Sequence, residues 1–206
     1  MRVHAAGANP VDTYNRETGV LVGEPPFVLG WDVCGTVEAV GAGVTLYELF
    51  GMLPLPHGHG AFAQYVLAPT RAFMPKPKNL GHVQAAALPL AGLTTWQALV
   101  ETARIGKDSR VLINGTAGGV GHLALQIVLV TTLPHTLADV LPEAARRGVR
   151  AAGLFVEADR IGMRALADLA ATGRLVPTVD ATYPLEQAGA AQTAKSGRGK
   201  TVLTGA

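Results

Sequence analysis

The sequence predicts an α/β fold in two unlike parts, a β-rich first part followed by strands and helices alternating around a parallel sheet. Three observations predict it. Through residue 80, short β-branched runs are punctuated by Gly and Pro at Pro25, Pro26, Gly30, Gly35, Gly41, Gly43, Pro54, Pro56, Gly58 and Gly60. From residue 85 an Ala- and Leu-rich run takes the helical period. At residues 111–121 an apolar strand runs into a glycine turn and an amphipathic helix.

Composition sets the outer bounds. With 206 residues, 49% of them hydrophobic, the chain has core enough for one large domain or two small ones. Seventeen basic and fifteen acidic residues leave a net charge of +2, too little for the basic field that nucleic-acid binding needs. Cys34 is the only cysteine, which excludes an internal disulfide and a multi-cysteine zinc site. It fits a reducing, cytoplasmic setting. No apolar run is long enough to span a bilayer, and Met1-Arg2-Val3-His4 lacks a signal-peptide pattern. Neither nucleic acid nor a membrane is therefore an expected partner.

Taken in order, residues 36–40 and 62–67 read as the best strands of the first part, and Pro75 and Pro77 mark a loop. Residues 85–102 read as helical, with breaks near Pro89 and Gly92. Residues 110–114 read as a short buried strand. Asp159 can cap a helix running to Thr172, with Gly173 as its stop and Leu166, Leu169 and Ala170 as its apolar stripe. Pro184 sits where another helix would start and Gly197 where it would end, and residues 200–203 form a last strand. His57 and His59 flank Gly58; with one cysteine in the chain and only Glu48 near, they read as loop residues.

The glycine turn carries the chemistry. Glycines at 115, 118, 119 and 121 permit a sharp turn and close approach of a ligand to the backbone. Val120, Leu123, Ala124 and Ile127 then recur at helical spacing, facing the sheet. The free N–H groups and positive dipole end of that helix make an anion site. A strand before and a helix after suit the diphosphate of a dinucleotide, and no Lys-Ser/Thr pair follows to make a mononucleotide P-loop. The alternative is a tight strand-to-helix turn without a ligand.

Six stretches now stand in one order: residues 5–12 (AAGANPVD), 26–40 (PFVLGWDVCGTVEAV), 60–66 (GAFAQYV), 85–98 (AAALPLAGLTTWQA), the glycine turn, and 197–203 (GRGKTVL). Together they resemble the zinc-independent quinone oxidoreductases, the zeta-crystallin-like branch of the medium-chain dehydrogenase/reductase superfamily. The resemblance implies a GroES-like β-rich catalytic domain plus a Rossmann-type doubly wound parallel-sheet domain. The boundaries expected are 1–90 for the first part of the catalytic domain, 91–178 for the dinucleotide-binding domain, and 179–206 for a return to the catalytic domain. It implies an NADPH-dependent enzyme, with NADH also open, that passes a hydride to a quinone or an α,β-unsaturated carbonyl in the interdomain cleft. It also implies a homodimer. Zinc-dependent members carry Gly-His-Glu where this chain has Gly30-Trp31-Asp32, and they have a cysteine-rich lobe that this chain lacks.

The resemblance also assigns residues. Asn9 matches an asparagine near the nicotinamide, and Tyr14, with Asp12 as a possible companion, lies on the segment that approaches substrate. Without a metal, such donors must polarise the carbonyl. Asn9-Pro10 is equally a good turn pair, and Tyr14 equally a surface tyrosine. The cofactor side takes Thr94, Gly115, Gly118, Gly119, Val120, Gly121, Phe155, Val156, Arg198 and Lys200. Thr94 matches a threonine facing the nicotinamide ribose, or is a helix-start residue. Phe155 and Val156, at the end of a late strand, match the segment passing over the nicotinamide, or pack in the core. Arg198 and Lys200 match a terminal Arg-Gly-Lys motif, or sit in a solvated loop.

Three joins break the pattern. Val128 and Leu129 follow the glycine-turn helix with no turn signal, the chain starts inside an early strand of the family, and residues 46–50 run together where the family has a turn. These joins predict that both domains are incomplete and that stretches of a longer protein are missing. An acid selecting the adenosine ribose is expected about 20 residues past the glycines. Asp139 stands there, but Leu137, Val140, Leu141 and Ala144 put it on a helix surface, so it is not assigned that role. Two alternatives to the quinone or enone reductase follow: an enoyl reductase of polyketide type, and a non-catalytic remnant that binds or assembles.

Overall fold

The computed structural model describes residues 1–41, 48–54, 59–106, 109, 111, 113, 115–127, 146, 154–194 and 197–205. His57, Asp139, the join at Val128 and Leu129, and most of the strand expected at 110–114 lie outside the described residues.

Among the described residues six strands form one mixed sheet: β1 (Arg2–Gly7), β2 (Asp32–Thr36), β3 (Glu48–Met52), β4 (Phe73–Pro75), β5 (Val179–Pro184) and β6 (Lys200–Thr204), ordered β4-β3-β2-β1-β6-β5. Neighbours from β4 through β6 are antiparallel, and β5 runs parallel to β6. A parallel pair needs a crossover. Here a 3₁₀ turn (Leu185–Gln187) and helix α6 (Ala188–Thr193) supply it. Because β6 pairs with β1, the end of the chain joins the sheet of its beginning. The parallel pairing among the described residues is confined to β5 and β6, so the doubly wound sheet is not displayed as a separate layer.

Helix α1 (Pro10–Thr18) starts where Pro10 needs no N–H partner, with Asn9 extended as its cap, and ends at Gly19 with φ +65. The run expected to be helical from residue 85 holds α2 (His82–Ala86), α3 (Pro89–Trp96) and a π-helical continuation (Gln97–Thr102). Pro89 restarts the helix, as expected. Gly92 does not break it. A Cβ there would lie 2.7 Å from Leu166 Cδ1, so the missing side chain lets helix α5 (Arg160–Ala171) pack close. The Asp159 cap and the Gly173 stop both hold: Asp159 Oδ1 accepts from Gly162 N at 2.7 Å, and Gly173 has φ +72.

Helix α4 (Gly119–Ile127) buries Leu123 and Ala124, with Val120 and Ile127 packed against the same core. Its main neighbour is α3 rather than the sheet. Trp31, Phe50, Leu88, Leu93, Leu123, Leu166 and Leu203 share one continuous core, which unites the β-rich and helical parts. Among the described residues no helix is long and apolar enough to cross a membrane.

Two strands read from the sequence are corrected. The strand placed at 36–40 lies at 32–36, because the β2–β3 ladder ends at the Thr36–Glu48 pair. Residues 62–67 form no strand. Gly60, Ala61 and Phe62 donate to Val28, Gly30 and Leu29, and pairing with the start of β1 is limited to the Arg2–Tyr65 bridge, flanked by Val3 N to Gln64 O at 2.9 Å and Val66 N to Met1 O at 3.0 Å; Leu67 is 86% exposed. The helix expected from Pro184 to Gly197 is the shorter α6, since Pro184 still belongs to β5.

Candidate functional site

The glycine turn closes on itself before α4 begins. Gly115 has φ +74, and Gly118 N donates to Gly115 O at 3.1 Å. A Cβ on Gly121 would lie 2.1 Å from Gly115 O, so only glycine fits there. The N–H groups of Gly119 and Val120, in the first turn of α4, have no intrahelical acceptor. The turn abuts the start of β6. Gly118 bridges to Gly199 in parallel, and Gly199 N donates to Ala117 O at 2.8 Å.

Between them lies a cleft of about 290 Å³, lined among others by Asn9, Leu90, Gly118, Gly119, Val120 and Lys200. The structure thus brings together five of the residues singled out from sequence, from three distant stretches of the chain.

Below the cleft lies a buried charge network. The Lys200 ammonium donates to Ala8 O at 2.8 Å and to Asn9 Oδ1, and lies 3.3 Å from Asp32 Oδ2. Asn9 Nδ2 donates to Asp32 Oδ2 at 2.9 Å, and Leu90 N donates to Asp32 Oδ1 at 2.6 Å. Asp32 therefore fixes three cleft-lining residues at once. Burial pushes its carboxyl pKa up, and Lys200, Asn9 and the Leu90 N–H oppose that rise. Lys200 shows the cleft its stem, while its charge is spent on the floor.

Asp12 is buried beside this network. It accepts from Asn9 N at 2.6 Å through Oδ2, and its Oδ1 has no hydrogen-bond partner. Burial pushes its carboxyl up to about 8, against the Asn9 N–H and the charge of Lys200, which lower it.

The other residues named from sequence stand apart from the cleft. Thr94 is buried on α3, and its neighbour Thr95 makes the contact to the turn, Oγ1 to Val120 O at 3.4 Å. Tyr14 is half-exposed on α1, next to the cleft-lining Thr13. Phe155 is exposed and Val156 packs against the core, in a segment that belongs to no strand. Gln97 clamps that segment, accepting from Glu157 N at 3.0 Å and donating to Glu157 O at 2.8 Å. Arg198 is exposed; its backbone N–H and that of Gly197 are held by Asp180, which keeps the Asp180 carboxyl below its usual range. Gly115 and Gly121 shape the turn without lining the cleft. His59 lies beside Val28 in a parallel bridge. Among the described residues no group of three His, Cys, Asp or Glu could hold a metal ion.

Sequence reasoning gave Asp32 no role, although a charge inside the apolar run Trp31 to Cys34 is a signal, since a buried acid needs a partner. It also passed over His122, which reads as the outer face of an amphipathic helix. In the structure His122 Nδ1 meets Gly118 O at 2.9 Å, and its Nε2 accepts from Thr178 N at 3.0 Å.

Comparison with known proteins agrees with this architecture. Residues 1–78 match the alcohol dehydrogenase GroES-like domain, and residues 100–203 match the zinc-binding dehydrogenase family. The chain is 34% identical over 151 residues to the mitochondrial NAD(P)H oxidoreductase RTN4IP1 of Danio rerio, covering 62% of this chain and 39% of that protein. It is 35% identical over 133 residues to the quinone oxidoreductase of Pongo abelii, again covering 62% of this chain and 39% of the relative. The chain thus spans about two fifths of the length of these curated relatives. The quinone oxidoreductase structure from Coxiella burnetii superposes with a TM-score of 0.84 at 24% identity, covering 98% of this chain and 89% of that one. A GroES-like match, a zinc-binding dehydrogenase match and a glycine turn opening onto a shared cleft place this chain in the medium-chain dehydrogenase/reductase superfamily.

Proposed function

We propose that the protein is a zinc-independent oxidoreductase that uses NADPH, or NADH, to reduce a quinone or an α,β-unsaturated carbonyl. The observation that carries this reading is the cleft where Gly118, Gly119 and Val120 face Asn9 and Lys200. The names of its relatives, an NAD(P)H oxidoreductase and a quinone oxidoreductase, support the same class.

The residues present suit a dinucleotide diphosphate. A Cβ on Gly118 would meet nothing closer than Gly115 O at 3.6 Å, so the cleft side of the turn has room. The N–H groups of Gly119 and Val120 would hold the phosphate oxygens at the positive end of α4. When bound, the cofactor supplies the hydride. The chain binds and orients the reactants in a cleft with apolar walls. Asn9 spends its amide protons on Asp32 and Gly7, so its role is to shape the cleft. Tyr14, beside Thr13, is the hydroxyl proposed to orient substrate.

Independence from zinc rests on residue types. Trp31, fully buried, fills the position where zinc-dependent members place histidine, and the chain has one cysteine. A homodimer is proposed on the resemblance alone.

The test is NADPH fluorescence on adding protein, then NADPH oxidation with 1,4-benzoquinone or an enal. Enhanced, blue-shifted fluorescence and turnover support the enzyme. No binding at high micromolar NADPH sinks it in favour of a binding or assembly role.

A further inference from the structure

We propose that His122 is a positioning residue, whose imidazole clasps the diphosphate turn to Thr178, the residue whose carbonyl holds the backbone of Lys200. The proposal rests on the reading of that turn as the cofactor's anion site.

The ring uses its two nitrogens in opposite senses. Thr178 N–H can only donate, so Nε2 accepts; Gly118 C=O can only accept, so Nδ1 must carry the proton. The contacts then run in series. Gly118 O is held by His122, His122 holds Thr178 N, and Thr178 O accepts from Lys200 N at 2.9 Å. One side chain thus ties the peptide that opens α4 to the peptide that opens β6. Gly118 and Lys200 line the same cleft as neighbours, joined through the Gly118–Gly199 bridge, so the clasp braces one wall of it.

The turn also meets β6 through Gly199 N to Ala117 O at 2.8 Å and the Gly118–Gly199 bridge, and α4 meets the segment before β5 through Gln126, which accepts from Val176 N at 2.8 Å and donates to Val176 O at 3.1 Å. The Gly118 carbonyl takes two bonds from His122, one from its backbone N at 3.1 Å as α4 begins and one from the ring. The Gly118 carbonyl and the Gly119 N–H share one peptide plane, so the ring bond reinforces the aim of that N–H.

The ring is half-buried, and a neutral imidazole is what its contacts require. Burial holds its pKa below the usual histidine value, against the Gly118 carbonyl, which raises it; the charged group acting on it is Lys200 from β6, which also lowers it. On α4 itself the neighbour is the neutral Gln126, whose Nε2 donates to His122 O at 3.1 Å. Adding a proton turns Nε2 into a donor facing the Thr178 donor, and the clasp opens.

Two variants test the proposal. His122→Phe keeps a ring and removes both contacts; His122→Gln offers a donor and an acceptor but does not titrate. We expect the Thr178 amide to exchange about tenfold faster in His122→Phe than in the parent, with NADPH affinity about tenfold weaker near pH 7.5. We expect His122→Gln to bind within about threefold of the parent and to lack the loss of affinity expected of the parent as pH falls and the ring gains its second proton. Equal Thr178 exchange in parent and His122→Phe, or equal NADPH affinity, overturns the clasp. A parent protein that binds no NADPH overturns the proposed function instead, and Thr178 exchange still decides whether the clasp exists.

Discussion

The ammonium of Lys200 lies 3.3 Å from the carboxylate of Asp32, with the two side chains 4% and 0% exposed. A pair this deep is costly to halve, because the survivor keeps its desolvation penalty without its partner. Asp32→Asn keeps an oxygen for Leu90 N but strands the lysine. Lys200→Met strands the aspartate. Each should cost about 3–5 kcal/mol of stability in urea unfolding. The double substitution should cost less than the sum, with a coupling of about 0.5–3 kcal/mol. Strict additivity would show that the two charges do not stabilise each other.

Asp12 gives stability a pH slope. Its carboxyl is raised from 3.8 to about 8, so the folded protein keeps a proton that the unfolded chain releases. The contribution is fully present below about pH 4 and is lost as pH rises through about 8. Asp12→Asn has the shape of the neutral acid and can still accept from Asn9 N. It should gain stability over the parent as pH rises from about 5 to 8, with the gap level above that. Urea midpoints against pH check this; parallel curves would refute it.

Asp159 serves two elements. It caps α5 at Gly162 N, and its Oδ2 accepts from Gln97 Nε2 at 2.9 Å. Asp159→Ala should cost about 1–2 kcal/mol, the upper part of the range for a lost cap. Asp159→Ser keeps a cap but cannot span to Gln97, so it should recover only part of that loss. Thermal unfolding of the two variants separates cap from clamp.

What could be read from the sequence was what local chemistry decides. Asp159, Gly173 and the stripe through Leu166 define α5 within fifteen residues, and the glycines of the turn act within seven. The segment at 62–67 misled because alternation does not say how far a pairing runs; beyond the bend tied by Phe62 N to Leu29 O, it meets the start of β1 only around the Arg2–Tyr65 bridge, through Val3 N to Gln64 O and Val66 N to Met1 O. The cleft floor was hardest to foresee. Lys200 and Asp32 stand 168 residues apart, and only the pairing of β1 with both β2 and β6 brings them together. Lys200 was named as a cofactor residue from its motif, yet its charge faces Asp32, a contact that no local pattern encodes.

The two glycines of the turn should separate binding from folding. At Gly118 an added methyl group would find ordinary contact, 3.6 Å from Gly115 O, and would project where the cleft is lined by that residue. At Gly121 it would lie 2.1 Å from the same oxygen, with Thr116 Cα at 2.7 Å. Gly118→Ala should therefore keep the parent's Tm and weaken NADPH binding by about tenfold, because the methyl group occupies phosphate space. Gly121→Ala should lose about 1–3 kcal/mol of stability, the usual cost of overpacking, since backbone rather than a side-chain end must move. Fluorescence titration and thermal unfolding of both variants check the pair. If Gly118→Ala binds NADPH as tightly as the parent, the turn is a structural corner only, and the first turn of α4 has no ligand to hold.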